Sequence, residues 1–182
     1  RMLDHVQEVA GDSIKAIYGI YEANSSESSI VLKTENGVFD IPCLRQQADK
    51  RDAEASYFAL NDFVMPDTCG RTDYVGLFAV TAGTQIASII DNYKRSGDDY
   101  SALLLQSLSD RLAEAATEYL HYHIRTRLWG YAPEEKFDVR ELLKEHYDGI
   151  RPAMGYPSLP DHSLSFLFDR ILDYSHVDIS LT

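Results

Sequence analysis

The nine residues Asp73-Tyr74-Val75-Gly76-Leu77-Phe78-Ala79-Val80-Thr81 are apolar at odd and even positions alike. Successive strand side chains point to opposite faces, so this run predicts a central strand with helices over both faces of its sheet. Around it, strand-like segments come first and helix-like ones later, without regular β-α alternation. That order predicts an α+β fold, an antiparallel sheet with helices, and argues against a doubly wound sheet. The nearly apolar stretch from Tyr74 to Gly83 is about ten residues, half of the roughly twenty that span a bilayer.

Leu3, Val6, Val9 and Ala10 open the chain in a helical pattern that breaks near Gly11. Ala16 to Glu22 reads as a strand. Ile30 to Lys33 and Val38 to Ile41 flank Glu35-Asn36-Gly37, whose Asn-Gly pair predicts a hairpin because both residues tolerate positive φ. A helix is expected over Asp49 to Asp62, with Ala53, Tyr57, Phe58 and Leu60 available to the core. Thr84 can cap the helix through Ile86 to Ile90, and Gly97 ends it before Asp98 and Asp99 start the next. That next helix, Tyr100 to Leu128, carries Leu104, Leu108, Leu112, Ala115, Tyr119 and His123 as a core-facing stripe. Asp138 with Glu141 resembles a capping box for a helix over Val139 to Tyr147. Asp161 or Ser163 starts a helix through Phe166, Leu167, Ile171 and Leu172. The alternation at Val177 to Leu181 reads as a final strand that stops without a turn.

A chain of 182 residues, with 45% hydrophobic and 25% charged residues, supports one globular domain and is too apolar for disorder. Its 17 Lys and Arg against 29 Asp and Glu leave a net charge of −12, which repels phosphate backbones and anionic lipid. Nucleic acid and membrane surfaces are therefore excluded as expected partners. Cys43 and Cys69 stand far apart without a second nearby thiol, so no disulfide framework or cysteine-rich zinc site is expected, and a reducing cytoplasmic setting fits. The helical opening and strand-like close predict a single domain over residues 1–182, truncated at both ends.

The chain lacks Gly-x-Gly-x-x-Gly after a strand, Gly-x-x-x-x-Gly-Lys, His-Glu-x-x-His and Gly-x-Ser-x-Gly. Dinucleotide-fold, nucleotide-hydrolase, zinc-protease and α/β-hydrolase readings lose their main support. His121 and His123 are two residues apart, about 200° of helical rotation, so they face different sides and do not share a metal. Glu114, Glu118, His121 and Arg125 form one polar stripe, either a solvated face with charge pairs or the wall of a cleft. Two irregular segments stand out: Trp129-Gly130-Tyr131-Ala132-Pro133, and Glu145 through His162 with its prolines, glycines and Arg151. Their backbone groups cannot all pair in regular structure, so they either present donors and acceptors to a ligand or form a structural crossover.

Several blocks then coincide in order: Arg71 through Gly83, Asp110-Arg111-Leu112-Ala113-Glu114-Ala115, Trp129 through Pro133, and Gly149 through Pro157. With Leu44-Arg45-Gln46-Gln47 and Pro160-Asp161-His162, they resemble the C-terminal activation domain of cobalamin-dependent methionine synthase over nearly the whole chain. The resemblance implies a module of a methyltransferase that binds S-adenosylmethionine for reductive remethylation of cobalamin. Flavodoxin or another reductase supplies the electron. The family's Arg-x-x-x-Gly-Tyr signature falls on Arg151, Gly155 and Tyr156, with Pro152 and Ala153 between them, and its acidic cleft positions fall on Glu114 and Glu145. These types suit the ligand: carboxylates favour a sulfonium and an ammonium, a guanidinium fork favours a carboxylate, and Gly155 admits close backbone approach.

The resemblance also implies a partner module that carries cobalamin; zinc belongs to other modules, and no metal is expected here. The family domain extends further at both ends, through segments that border the ligand. The competing reading is a stand-alone relative serving another corrinoid protein, or a non-catalytic interaction module. An ordinary nucleotide-fold methyltransferase would require a glycine-rich strand-to-helix turn, which is absent.

Overall fold

The computed structural model describes residues 13–47 and 56–181. The predicted opening helix through Leu3, Val6, Val9 and Ala10 lies outside these residues, as does 49–55 of the next predicted helix.

Four antiparallel strands form one sheet: β1 (Lys15–Ser25), β2 (Ser29–Thr34), β3 (Gly37–Pro42) and β4 (Asp73–Thr81), in the order β3-β2-β1-β4. The register pairs Ile17 with Ala79, Ala23 with Leu32 and Leu32 with Phe39. Odd positions of β1 and β4 therefore share one face with Ile30, Leu32, Phe39 and Ile41. Helix α4 (Leu164–Leu172) lays Leu164, Phe168, Ile171 and Leu172 into this face and closes the main core. Each fully buried aliphatic side chain contributes about 1.5–3 kcal/mol.

Helices α1 (Thr84–Arg95) and α2 (Asp99–His123) pack on each other through a second cluster, Ala82, Ile86, Ile90, Ala102 and Leu105. The carboxylate of Asp98 caps α2 by accepting from the Ser101 N–H at 3.0 Å. Helix α2 also contacts β4, and it continues into a π-helical turn over Ile124–Leu128. A five-residue helix, α3 (Val139–Leu143), follows.

The α+β class and antiparallel sheet hold, but several local expectations need correction. Strand β4 is not central: it forms the sheet edge, paired among the described residues only with β1. It is apolar on both faces because Val75, Leu77 and Ala79 join the main core, while Gly76 and Phe78 meet Trp129 and His121 on the other side. The helix expected through Asp62 has no regular structure at 56–59 and is then a short 3₁₀ turn, Leu60–Phe63. Tyr57 and Phe58 are exposed there instead of entering the core. In the β2–β3 hairpin only Gly37 has positive φ. Thr34 pairs with Gly37, and its hydroxyl accepts from the Asn36 N–H at 3.1 Å, so Asn36 stays out of the left-handed region.

Thr84 is the first residue of α1 and Gly83 is its cap. The stripe on α2 does not reach the core along its length: Tyr119 is exposed, and the well-buried positions are Ala102, Leu105 and His121. Helix α3 stops at Leu143 instead of Tyr147, and the Glu141 carboxylate pairs with His146 Nδ1 at 2.8 Å instead of closing a capping box. The final segment forms a 3₁₀ turn, Tyr174–Val177, and not a strand; Ile179 and Leu181 beyond it pack against the main core.

A cleft on the free edge of the sheet

Along the unpaired edge of β4 runs a cleft of about 470 Å³. One wall is β4 itself, from Tyr74 to Phe78. The other is the segment Gly149 to Met154, and Thr117, His121 and Ile124 of α2 with Trp129 and Tyr131 close one side. The volume lies in the range of small-molecule sites, and the lining is mainly apolar with a few polar groups.

The π-helical turn creates the polar end. Trp129 N–H and Gly130 N–H both donate to the Ile124 carbonyl, at 2.9 and 3.2 Å, which widens the last turn and carries Arg125 inward. Arg125 is 0% exposed. Its Nε and Nη2 donate to the two carboxylate oxygens of Glu135 at 2.7 and 2.5 Å, its Nη1 donates to His121 Nδ1 at 2.6 Å, and its guanidinium lies 3.9 Å from the centre of the Tyr147 ring. A buried guanidinium requires this complete pairing.

His121 is 5% exposed, with its ring near Phe78 and edge-on to Tyr147. Burial, then the charges of Arg125 and Arg151, push its pKa down to about 3. Arg125 has only donors, so the Nδ1 it meets must be an acceptor, and the ring is neutral with its proton on Nε2. Burial, then the Glu118 carboxylate, raises the Tyr147 pKa, with Glu145 adding and Arg151 opposing.

Arg151 reaches across from the loop, and its Nη2 donates to Glu118 Oε1. This pair is incomplete: Arg151 Nε and Glu118 Oε2 are both buried without a hydrogen-bond partner. Beyond Arg151 the chain makes a tight reversal, with Gly155 N–H donating to the Leu159 carbonyl at 2.8 Å and Leu159 N–H donating to the Tyr156 carbonyl at 2.9 Å. Gly155 has φ +89°, and a Cβ there would come within 2.6 Å of the His162 ring. Gly149, at φ +95°, leaves room for the Tyr131 hydroxyl, which would lie 2.8 Å from an added Cβ.

The structure places Arg151, Pro152 and Ala153 in the cleft wall, with Gly155 and Tyr156 in the adjoining reversal. Tyr156 is 65% exposed and not packed in the core. Glu114 does not touch Arg151: it lies exposed, one turn before Glu118, paired with Arg111 at 2.6 Å. Glu145 is exposed, in the left-handed region at φ 57°, two residues before Tyr147. The polar stripe on α2 therefore divides, with Glu114 solvated and Glu118, His121 and Arg125 turned into the site.

Glu135 and Tyr147 were not singled out by sequence reasoning, because each is an ordinary residue in an irregular segment. No local signal points to them, because the stripe that carries Arg125 reads equally as a solvated helix face. Cys43 is buried, Cys69 is exposed, and both are free. Among the described residues no group of three or more His, Cys, Asp or Glu is placed to hold a metal, and no helix is long and apolar enough to cross a membrane.

The fold and the ordered blocks have counterparts. A solved structure, the crystal structure of the MetH reactivation domain bound to AdoHcy, superimposes with a TM-score of 0.87 at 33% identity. The match covers 100% of this chain, which spans 60% of the length of that one. The family model described as vitamin B12 dependent methionine synthase, activation domain, matches residues 1–182. With both the family model and the fold matched end to end, the chain belongs to the vitamin B12 dependent methionine synthase activation domains.

Proposed function

We propose that the cleft binds S-adenosylmethionine and that the chain serves as the reactivation module of a cobalamin-dependent methionine synthase, a methyltransferase. The observation that carries this reading is the incomplete Arg151–Glu118 pair. A buried guanidinium nitrogen and a buried carboxylate oxygen, each without a partner, are costly in a finished core and suited to a ligand bearing both charge signs. The solved relative bound to AdoHcy, the demethylated form of the same ligand, supports the choice.

Arg151 would receive the ligand's carboxylate, in competition with Glu118, through its planar donor fork. Pro152 and Ala153 hold the loop beside β4, Gly155 allows the backbone reversal, and Tyr156 offers an exposed ring and hydroxyl for the nucleoside. Glu114 and Glu145, with Glu118, set a negative potential that favours the sulfonium and ammonium. When bound, the ligand would supply the methyl group for cobalamin reduced by one electron and would leave as S-adenosylhomocysteine.

The cobalamin would be carried by another module of the same enzyme, with flavodoxin or an equivalent reductase as electron donor, in the cytoplasm. Zinc would likewise belong to other modules. The alternative, a stand-alone domain serving another corrinoid protein or acting as an interaction module, differs in the length of the parent gene.

Calorimetric titration of the chain with S-adenosylmethionine and with S-adenosylhomocysteine tests the reading. Saturable one-to-one binding of both is expected. No heat and no shift in melting temperature with either would overturn it.

A further inference from the structure

We propose that His121 is a ligand-contact residue: its Nε2–H donates a hydrogen bond to the carboxylate end of the ligand, beside Arg151, while Arg125 and Glu135 act as positioning residues that hold the ring in the one tautomer able to do so. The proposal rests on the reading of the cleft as an S-adenosylmethionine site.

The tautomer follows from donor and acceptor counting. All the nitrogens of Arg125 are donors, and Nη1 lies 2.6 Å from His121 Nδ1, so Nδ1 is unprotonated and the single proton is on Nε2. Glu135 takes the other two donating edges of Arg125 and thereby fixes the direction of Nη1. The residue is 5% exposed, and Nε2 has no acceptor among the described residues and is not sealed within the core. His121 lines the cleft together with Arg151, so that donor is left open toward it.

Proximity of the two donors is independent of this counting. His121 and Arg151 line the same cleft, and Glu118, which pairs with Arg151, sits three residues before His121 on the same helix face. A carboxylate has two oxygens, so one can face the guanidinium and the other the imidazole.

The charged and titratable groups around the ring are Arg125 and Glu118 on its own element, Arg151 and Tyr147 on the facing segments, and Glu135 behind Arg125; β4 contributes Phe78. The ring is buried and two cations stand close to it, so it remains neutral across the neutral and mildly acidic range. The donor is thus permanent, unlike a surface histidine that titrates near neutrality.

His121→Asn tests the assignment, because the amide oxygen can replace Nδ1 as acceptor for Arg125 while no donor remains at the Nε2 position. The expected result is a loss of about tenfold in affinity for S-adenosylhomocysteine, with unchanged affinity for 5′-methylthioadenosine, which lacks the amino-acid end. In the unsubstituted protein, nitrogen NMR of the ring should show protonated Nε2 and bare Nδ1, and Nε2 should shift on saturation with S-adenosylhomocysteine.

Unchanged affinity in the variant, equal loss for both ligands, or an Nε2 resonance unmoved by saturating ligand would overturn the inference. The NMR arm decides if the variant fails to fold. An unsubstituted protein that binds neither ligand would instead overturn the reading of the cleft, and the contact with it.

Discussion

Acidification should destabilise the domain through His121 before any carboxylate responds. The folded ring has a pKa of about 3, against 6.5 for the unreacted side chain. Below pH 6.5 the unfolded chain gains a proton that the folded ring refuses, so stability falls with decreasing pH until about pH 3 is reached. Each pH unit in that window costs about 1.4 kcal/mol, so moving from about pH 7 to about pH 4.5 costs about 2.5 kcal/mol.

The depressed carboxylates act in a lower window. Asp62, held at about 2 by Arg45 and the Ala59 N–H, contributes stability that is lost only as pH falls from its ordinary 3.8 toward 2. Urea unfolding of the unsubstituted protein and His121→Asn at several pH values separates the cases. The slope between about pH 6.5 and 4.5 should be steep in the first and reduced by about 1.4 kcal/mol per unit in the second. Equal slopes in the two proteins would refute the account of a ring kept neutral by burial and by the neighbouring arginines.

Arg125→Met should cost about 3–5 kcal/mol, because it leaves Glu135 and His121 without their partner, and adding Glu135→Leu should recover part of the loss; chemical denaturation reads both. Arg151→Ala should weaken S-adenosylmethionine binding by about ten- to a hundredfold, the worth of a hydrogen bond to a charged group, with little recovery in Arg151→Lys; it should also lower the melting temperature, because Glu118 loses its partner. A large melting loss with unchanged affinity would make Arg151 a structural brace only. Gly155→Ala should destabilise by more than about 1 kcal/mol, since φ is positive and the new Cβ meets His162.

The sheet was legible because its signals are local. Alternation on β1 to β3 and the turn at Gly37 each depend on a few neighbouring residues, and the register follows from placing Leu32, Phe39 and Ala23 on one face. The errors fall where long-range packing overrides local pattern. Val177 to Leu181 alternates like a strand, yet its apolar residues pack across the end of the main core, and Asp178 is drawn into an ion pair with Lys15 instead. Strand β4 misleads for a different reason: apolarity on both faces records cover, and cover by a cleft-forming loop looks the same in sequence as cover by helices.

The site divides along the same line. Arg151, Gly155 and Tyr156 stand in a segment whose prolines and glycines mark it as irregular, but irregularity alone left a ligand loop and a structural crossover equally open, and only the family resemblance pointed to a cleft. Glu118, His121 and Arg125 could not be told from a solvated stripe, because spacings of three and four residues occur equally on the outside of any helix. Arg125 sits in the π-helical turn at Ile124–Leu128 and pairs with Glu135, a residue ten positions on that no periodicity connects to it. Once that cation is buried, it requires a carboxylate and an acceptor, and on the helix His121 supplies the acceptor. The tautomer of the ring, and with it the donor left open to the cleft, is therefore set by a backbone irregularity one turn away. A substitution that restores regular helical hydrogen bonding at Ile124 would be felt first at Nε2 of His121.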